Sequence, residues 1–303
     1  MDKLALVTVL YKSNEVLTGF FKTLSQQTFT RYHLYLIDNA PNKETDLLLQ
    51  ALKASYPISA CTHVKNPTNY GAAKGNNQGI SLALKKDYSH ILLLNNDIEF
   101  ISNDALEILV QKAETDKETI IIPKMLYYDS RKICMAGGYL NYATAVTEHI
   151  GAGEEDQGQY DQAGYVNYGP TTFMLLAREV LEKVGPMDER YFAYYEDTDL
   201  IFRATQLGYK IYYMPSVVIL HKESSLTGGQ RSSFFVYYIN RNRIFFIRKH
   251  MKGIAKLKAM LKAAVDFLRM FRHYQYTQRK VLLKAIRDGM LSKRFGIQNA
   301  TNI

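Results

Sequence analysis

An apolar run that stops abruptly at polar residues is the clearest chemical signal in the chain. Residues 91–94 are apolar and are followed at once by Asn95, Asn96 and Asp97. The run has the length of a buried strand, and ligands in open α/β sheets collect beyond the carboxyl ends of such strands. A carboxylate with amide neighbours at that place suits a hard cation such as Mg²⁺ or Mn²⁺. The alternative is an ordinary turn, because Asn and Asp are common turn residues.

A second pair of carboxylates, Glu196 and Asp197, follows a run of aromatic residues at 191–195. An apolar surround raises the pKa of a carboxyl group, and a raised pKa suits a general base. Asp at the start of a helix is also a common capping residue. We therefore predict that Asp199 caps or orients the helix that follows, whereas Asp197 faces a cleft.

A histidine, His221, stands at the end of a strand predicted to begin near residue 210. Neutral imidazole is a common metal ligand, so His221 is a candidate ligand for the same cation as Asp97. A lone histidine of this kind is more often an ordinary core or surface residue, and both interpretations stay open at this point.

The elements that must position these residues alternate between strand and helix in the first hundred residues. The predicted strands are residues 4–10, 33–37, 60–64 and 91–94, and the predicted helices are residues 15–25, 45–56 and 72–86. This alternation is typical of a doubly wound, mostly parallel sheet of the α/β class. The carboxyl ends of parallel strands share one edge of the sheet, so we expect one ligand site there.

Polar residues do stand at these strand ends: Thr8 and Tyr11 with the first strand, Asp38 with the second, residues 66–71 with the third and Asp97 with the fourth. A nucleotide along that edge would meet Asp38, which suits a hydrogen bond from a pyrimidine N–H. Its diphosphate would lie near Asp97 and the cation. Lys74 and Asn76, in the first turn of a helix, would also face the site, because helix N-termini favour anionic groups.

Composition excludes several classes of protein. The chain has 303 residues, 47% of them hydrophobic, which permits one large α/β domain with appendages or two domains. Cys61 and Cys134 have no metal-ligand spacing and indicate a reducing compartment. Neither a Gly-x-Gly-x-x-Gly motif after the first strand nor a P-loop occurs, which argues against a dinucleotide Rossmann site and a P-loop NTPase. No window is apolar over the roughly 18 residues of a spanning helix, and the short apolar N-terminal run predicts a strand rather than a signal peptide.

The positive charge is concentrated in the C-terminal part. The net charge is +9, but residues 231–303 hold seventeen Lys or Arg and two acidic residues, a balance of +15, which leaves −6 for residues 1–230. Apolar residues at helical spacing lie among basic ones over residues 253–272, and a second such helix is predicted over 277–291. This tail either packs on the core with a solvated basic face or lies on an anionic membrane through residues 253–303. Nucleic acid is disfavoured as a partner, because no nucleic-acid-binding motif accompanies the tail.

The ordered set of motifs resembles the family 2 glycosyltransferases of the GT-A fold, most closely their bacterial rhamnosyltransferase-like branch. The resemblance covers about residues 4 to 230, and it is carried by residues 7–14, 36–42, 69–79, 92–97, 184–189, 195–200 and His221. It implies a Rossmann-like, mostly parallel sheet and an inverting transfer from a nucleotide-sugar that Mg²⁺ or Mn²⁺ assists. We therefore predict a GT-A catalytic domain over residues 1–230 and a basic amphipathic helical extension over residues 231–303.

The resemblance also implies roles for single residues. Asp97 would touch the metal and the diphosphate, His221 would complete the metal site, and Asp197, in its pair with Glu196, would be the catalytic base. Asn95 stands where the wider family has an aspartate, which removes one charge near the metal. The residues that would bind the nucleotide-sugar are Thr8, Tyr11, Asp38, Asn69, Lys74, Asn76, Asn95 and Asn96.

The resulting prediction is a metal-assisted inverting glycosyltransferase of bacterial surface polysaccharide synthesis. Its donor would be dTDP-rhamnose or a UDP-sugar, and its acceptor a hydroxyl of a glycan or of a polyprenyl-diphosphate-linked intermediate. It would be cytoplasmic and peripheral at the inner face of the cell membrane. One alternative is a sugar nucleotidyltransferase, which needs a Gly-rich phosphate loop that residues 11–14 do not form. The other is a non-catalytic nucleotide-sugar or membrane-binding module on the same fold.

Overall fold

A ten-stranded sheet is the centre of the molecule, whose computed structural model describes residues 4–222 and 232–291. The strands are β1 Leu4–Leu10, β2 Tyr32–Asp38, β3 Cys61–Lys65, β4 His90–Leu94, β5 Ile98–Phe100, β6 Ile120–Tyr127, β7 Ile133–Met135, β8 Gly138–Asn141, β9 Val146–His149, β10 Gly164–Val166, β11 Phe173–Ala177 and β12 Ile211–His221. The helices are α1 Asn14–Ser25, α2 Lys43–Ser55, α3 Gly71–Leu84, α4 Ala105–Asp116, α5 Arg178–Val184, α6 Glu196–Gln206, α7 Ser233–His250, α8 Gly253–His273 and α9 Tyr276–Leu291.

The strand order of the main sheet is β10-β12-β6-β11-β4-β1-β2-β3, with β5 paired to β12 and β7 to β6. Six of the eight strands on this path, β1 to β4, β6 and β12, run in one direction, and β10 and β11 run in the other. The strands β8 and β9 form a separate two-stranded sheet. The predicted α/β class with a mostly parallel sheet is confirmed.

The core lies on both faces of this sheet. Strand β1 is almost completely buried between β2 and β4, and β4 is buried along its whole length. Strands that are covered on both faces read as continuous apolar runs, which is why both were visible in the sequence. The antiparallel strand β11 pairs with β4 and β6, and no feature of its apolar run distinguished this direction from the parallel one.

The acidic loop of residues 154–156 is fixed to the main sheet at one residue, Asp156. Lys124 of β6 is only 2% exposed, and its ammonium donates to Asp156 Oδ1 at 3.0 Å and also to Asp161. A buried ammonium needs such partners because an unpaired charge in the interior is costly. The segment that leads to β10 is therefore tied to the main sheet by this lysine.

The three C-terminal helices differ in burial. Helix α7 is buried along most of its length, including Arg241 and Arg243, and it packs against α9 and α8. Helix α8 buries only Ala259, Ala263 and Phe267. Within the described residues, no helix combines the length and the apolar character needed to span a bilayer. The predicted domain boundary at residues 230 and 231 and the last part of the tail, residues 292–303, lie outside the described residues.

Candidate active site

The pairing of β12 with β5 brings Asp97 and His221 together. Asp97 lies in the turn between β4 and β5, and His221 ends β12, where it is paired with Ile98 of β5. His221 Nε2 is 3.4 Å from Asp97 Oδ1. Burial lowers the pKa of His221, but the contacts with Asp97 and Cys134 outweigh burial and raise this pKa to about 10.

One carboxylate oxygen of Asp97, Oδ1, has a loose polar contact with His221 Nε2 at 3.4 Å. Asp97 is 7% exposed, and its Oδ1 makes no hydrogen bond within the described residues. A buried oxygen in this state is costly unless a ligand occupies the place. Among the described residues, no group of three or more His, Cys, Asp or Glu side chains is arranged so that it could hold a metal ion by itself. Asp97 and His221 fit a cation that takes its other ligands from substrate phosphates and water, as Mg²⁺ commonly does, and binding of the cation would displace the proton of His221.

The two amides before Asp97 have different surroundings. Asn96 is buried, and its Nδ2 donates to the carbonyl oxygen of Val9 at 3.0 Å and to Ser13 Oγ at 3.1 Å. Asn95 is exposed, and its backbone N–H donates to the carbonyl oxygen of Thr172. Asn96 thus joins the turn that carries Asp97 to the end of β1, whereas the side chain of Asn95 is exposed to solvent.

The predicted nucleoside side of the site is built at the ends of β1 and β2. Asp38 is buried, its Oδ1 accepts from the backbone N–H of Ala40 at 2.9 Å, and its Oδ2 lies 3.1 Å from His63 Nε2. Thr8 is buried in β1, and its hydroxyl has no partner within the described residues. Tyr11 is half-buried just after β1. The carboxylate of Asp38 is therefore held from two sides, and the contact with His63 was not predicted from the sequence.

Helix α3 presents its side chains rather than its free amides to this edge. Its first residue, Gly71, donates its N–H to Asn69 Oδ1, and the N–H groups of Ala72 and Ala73 donate to the carbonyl oxygen of Phe192 at 2.6 and 3.3 Å. These amides already have hydrogen-bond partners and are unavailable to an anion. Any contact of the first turn of α3 with an anion would therefore be made by the side chain of Lys74. That ammonium lies 3.9 Å from the centroid of the Tyr70 ring, and Asn76 is buried in the same helix.

The carboxylates predicted for catalysis lie in the first turn of α6, which begins at Glu196, four residues before the predicted start. Asp197 Oδ2 accepts from the hydroxyl of Tyr168 at 3.0 Å, and Oδ1 accepts from the backbone N–H and the hydroxyl of Thr198 at 2.5 and 3.1 Å. Glu196 is buried, and its Oε2 has no hydrogen bond among the described residues. Acidic residues in the first turn are favoured by the helix dipole.

Burial and mutual repulsion give the two carboxyl groups different states. Burial and the neighbouring charge of Asp197 raise the pKa of Glu196 well above its usual range. Burial also raises the pKa of Asp197, but the hydrogen bonds from Thr198 and Tyr168 favour its charged form and lower the pKa in part. Two close carboxylates do not both ionise easily, so the negative charge of the pair resides on Asp197.

Asp199 is an orienting residue rather than a helix cap. It is fully buried, and the residue at the cap position is Tyr195. Its carboxylate binds Arg203 of its own helix at 2.8 Å, and Lys249 and His250 of α7 at 2.5 and 2.6 Å. Burial raises the pKa of Asp199, but the hydrogen bond with His250 and the charges of Lys249 and Arg203 outweigh burial and hold it below its usual value. The interaction joins α6 to the end of α7.

A family comparison shows the class of protein to which the chain belongs. The family described as "Glycosyltransferase like family 2" matches residues 2–246. The chain belongs to this glycosyltransferase family. The match covers every predicted site residue, from Thr8 to His221, and it ends within α7.

Three curated relatives have transferase names. The low-salt glycan biosynthesis hexosyltransferase of Haloferax volcanii is 24% identical over 244 residues, which are 80% of this chain and 75% of the relative. The N-acetylglucosaminyl-diphospho-decaprenol L-rhamnosyltransferase of Mycobacterium tuberculosis is 35% identical over 77 residues, 25% of each chain. The dTDP-rhamnosyl transferase of Shigella flexneri is 28% identical over 189 residues, 60% of this chain and 61% of the relative. The predicted rhamnosyltransferase-like branch is confirmed.

Solved structures show the same fold. The mannosyltransferase PcManGT from Pyrobaculum calidifontis, in complex with GDP-Man and Mn²⁺, has a TM-score of 0.59 at 12% identity and covers 96% of this chain and 88% of its own. GalNAc-T7 with UDP, GalNAc and Mn²⁺ has a TM-score of 0.66 at 15% identity and covers 95% of this chain and 56% of its own. This glycosyltransferase thus has the GT-A fold that its sequence predicted.

Proposed function

We propose that this glycosyltransferase moves rhamnose or another hexose from a nucleotide-sugar, dTDP-rhamnose or a UDP-sugar, to a hydroxyl group with inversion. The acceptor is a glycan or a polyprenyl-diphosphate-linked sugar of surface polysaccharide synthesis. The observation that carries the proposal is the carboxylate of Asp197, which is held by Tyr168 and Thr198 in a setting that raises its pKa. The printed names of the rhamnosyltransferase relatives support the choice of donor and acceptor.

The reaction needs a base on the acceptor side. Asp197 accepts the proton of the acceptor hydroxyl while the oxygen of that hydroxyl attacks the anomeric carbon of the donor. The bond from that carbon to the diphosphate oxygen breaks, and the nucleoside diphosphate leaves with the electron pair. Attack opposite to the leaving group inverts the anomeric centre. A base whose pKa is raised toward the working pH is effective in such a step.

On the donor side, Asp38 accepts a hydrogen bond from the nucleoside and Thr8 lines the same pocket. Lys74 lies in the first turn of α3, and its ammonium would meet the diphosphate. Asp97 and His221 would hold a divalent cation, which when bound acts as a Lewis acid on the leaving diphosphate. Asn95, which is exposed beside them, contributes an amide without adding a charge.

We also propose that residues 1–230 are the catalytic domain and residues 231–303 a helical extension that places the enzyme on an anionic membrane. Helix α8 supports this, because its buried residues are Ala259, Ala263 and Phe267 and its leucines are exposed. Leu257 is 60% exposed and Leu261 59% exposed, and Ile254 and Leu268 lie on the same face. Exposed basic residues such as Lys258 and Arg269 accompany this face. An apolar stripe flanked by basic residues is the pattern of an interfacial helix.

Vesicle flotation tests the membrane proposal. We expect the protein to float with vesicles of phosphatidylglycerol and not with vesicles of phosphatidylcholine. The double variant Leu257→Ser, Leu261→Ser should lose flotation, and the control Leu47→Ser, Leu207→Ser, which changes two exposed leucines elsewhere, should retain it. Equal flotation of both double variants overturns the proposal. The proposal is also overturned if the wild-type protein binds no vesicles but forms a dimer that Leu257→Ser, Leu261→Ser abolishes.

The transfer itself is tested with a donor panel of dTDP-rhamnose, UDP-glucose, UDP-galactose, UDP-N-acetylglucosamine and GDP-mannose. Each donor is incubated with a polyprenyl-diphosphate-N-acetylglucosamine acceptor, with and without Mn²⁺. Release of nucleoside diphosphate measures turnover, and NMR of the product reports the anomeric configuration. We expect one donor to give an inverted product.

A matched pair of variants completes this experiment. Asp197→Asn should retain donor binding, measured by thermal shift, and lose nearly all transfer, whereas the exposed Asp129→Asn should behave as wild type. Normal transfer by Asp197→Asn removes Asp197 from the role of base. A wild-type protein that binds a donor but neither transfers nor hydrolyses it is a binding module.

A further inference from the structure

The backbone directly before the catalytic pair has an unusual conformation. Phe192, Tyr194 and Tyr195 have φ angles of 67°, 65° and 70°. This left-handed region is rarely adopted by L residues, least of all by bulky ones, and it persists only where surrounding contacts determine it. Tyr195 is followed at once by Glu196 and Asp197 in the first turn of α6. Whatever holds residues 191–195 therefore also sets the position of the base.

One side chain of α7 contacts three carbonyl groups of this segment. Asn242 is fully buried, and its Nδ2 lies 3.0, 2.8 and 2.7 Å from the carbonyl oxygens of Tyr191, Ala193 and Tyr194. Because the amide carries two hydrogens, these three oxygens share two donors. Its Oδ1 accepts from Arg241 at 2.6 Å. Because a guanidinium only donates and carbonyl oxygens only accept, these partners fix which end of the amide faces the segment.

The opposite side of the segment contacts the donor side of the site. The carbonyl oxygen of Phe192 accepts from the first amides of α3, the helix that carries Lys74. The ring of Phe192 stacks on Tyr238 of α7, with centroids 5.1 Å apart and an interplanar angle of 19°. Residues 191–195 thus lie between the helix next to the diphosphate and the helix that carries Asn242.

We propose that Asn242 is a positioning residue of the active site, which holds residues 191–195 in the conformation that directs Asp197 at the acceptor. The proposal rests on the proposed function, in which Asp197 is the base. Asn242 does not touch substrate. It acts through the three carbonyl groups, and it makes α7 a working part of the catalytic centre rather than a distant support.

The test compares two asparagines of the same helix. Asn242→Asp keeps the size of the side chain and an acceptor for Arg241 but removes the amide donor. Asn240 is also buried, but its Nδ2 donates to Val236 of its own helix, so Asn240→Ala is the control. We expect Asn242→Asp to lower kcat about 10- to 100-fold, since a small misplacement of a catalytic group costs this much. The donor KM should change less than the kcat, and hydrolysis of the donor should rise relative to transfer.

Other outcomes are equally informative. If Asn242→Asp unfolds, Asn242→Ser retains one donor group and is assayed well below its own melting temperature, with the same expected split between kcat and KM. A kcat and a hydrolysis-to-transfer ratio equal to those of Asn240→Ala overturn the positioning role. A wild-type enzyme without transfer activity, or an active Asp197→Asn variant, overturns the proposed function instead, so the two failures are distinguishable.

Discussion

Tyr168 donates its hydroxyl hydrogen to Asp197 Oδ2 across 3.0 Å. Tyr168 forms a bridge with Gly138 beside the small β8–β9 sheet, and its ring is stacked against His149 with centroids 6.1 Å apart. Burial and the charge of Asp197 raise the pKa of Tyr168 well above its usual value, so the phenol remains a donor. The small sheet and helix α6 therefore meet at the atom that we propose takes the acceptor proton.

Removing this donor should move the pH dependence of the enzyme. A hydrogen bond to a carboxylate favours its charged form and lowers its pKa, so Tyr168→Phe should raise the pKa of Asp197. The acid limb of the kcat/KM profile then moves to higher pH, and kcat falls about tenfold. The control is Tyr165→Phe, because Tyr165 is exposed and its hydroxyl donates to Glu118, away from Asp197. An acid limb at the wild-type pH in Tyr168→Phe contradicts this prediction.

The raised pKa of Glu196 leads to a second prediction. Because burial and the charge of Asp197 raise this pKa, they favour the neutral carboxyl group, which the amide of Glu196→Gln resembles. We expect transfer by this variant within about threefold of wild type, and a melting temperature that is equal or higher, since an ionisable group leaves the interior. Initial rates at saturating donor provide the measurement. A loss as large as that of Asp197→Asn would show that the ionised form of Glu196 takes part in the chemistry.

Gly71 is required by both its backbone and its surroundings. Its φ is +76°, and a Cβ there would lie 2.4 Å from the carbonyl oxygen of Phe192. Gly71→Ala should lower the free energy of unfolding by roughly 2–4 kcal/mol. Gly153 has φ +84° with open space around it, so Gly153→Ala should lose only about 1 kcal/mol. Denaturant unfolding measures both. Equal losses would mean that the close approach of Phe192 contributes nothing.

A cation bound at Asp97 and His221 should be visible without any turnover. We expect nucleoside diphosphate to raise the melting temperature more in the presence of Mn²⁺ than alone, because the metal joins the diphosphate to the protein. Asp97→Asn should abolish the additional shift, and Asp129→Asn, on the exposed surface, should retain it. An additional shift that survives in Asp97→Asn places the cation elsewhere.

Residues at strand ends could be placed from the sequence because a buried strand has a recognisable length and a defined last residue. Asp38 and Asp97 were positioned in this way, and the pairing of β12 with β5 then brought His221 to Asp97. The contacts that hold the site were not predictable by the same means. Tyr168 donates to Asp197 of α6, which lies 29 residues further along the chain, and periodicity carries no information about such pairs.

The C-terminal part shows a related limit. Arg241 and Arg243 were counted with the basic tail, but both are buried, and Arg243 binds Asp266 at 3.0 Å and the carbonyl oxygen of Thr144 at 2.9 Å. Asn242 stands between them and was not distinguished from its neighbours. Charge in a sequence does not show whether its partner is solvent or the interior, since this depends on helix packing that residues far apart decide.

Helix α8 buries Ala259, Ala263 and Phe267 and exposes its leucines, and this distribution also affects how the protein behaves during purification. A protein of pI about 9.2 is expected to bind a cation exchanger and elute with salt. Raising the salt weakens that electrostatic retention, but it strengthens the adsorption of exposed leucines to phenyl resin and to other copies of the protein. We therefore expect this enzyme to be purified best at moderate ionic strength with a mild detergent, whose micelles cover the outer face of α8.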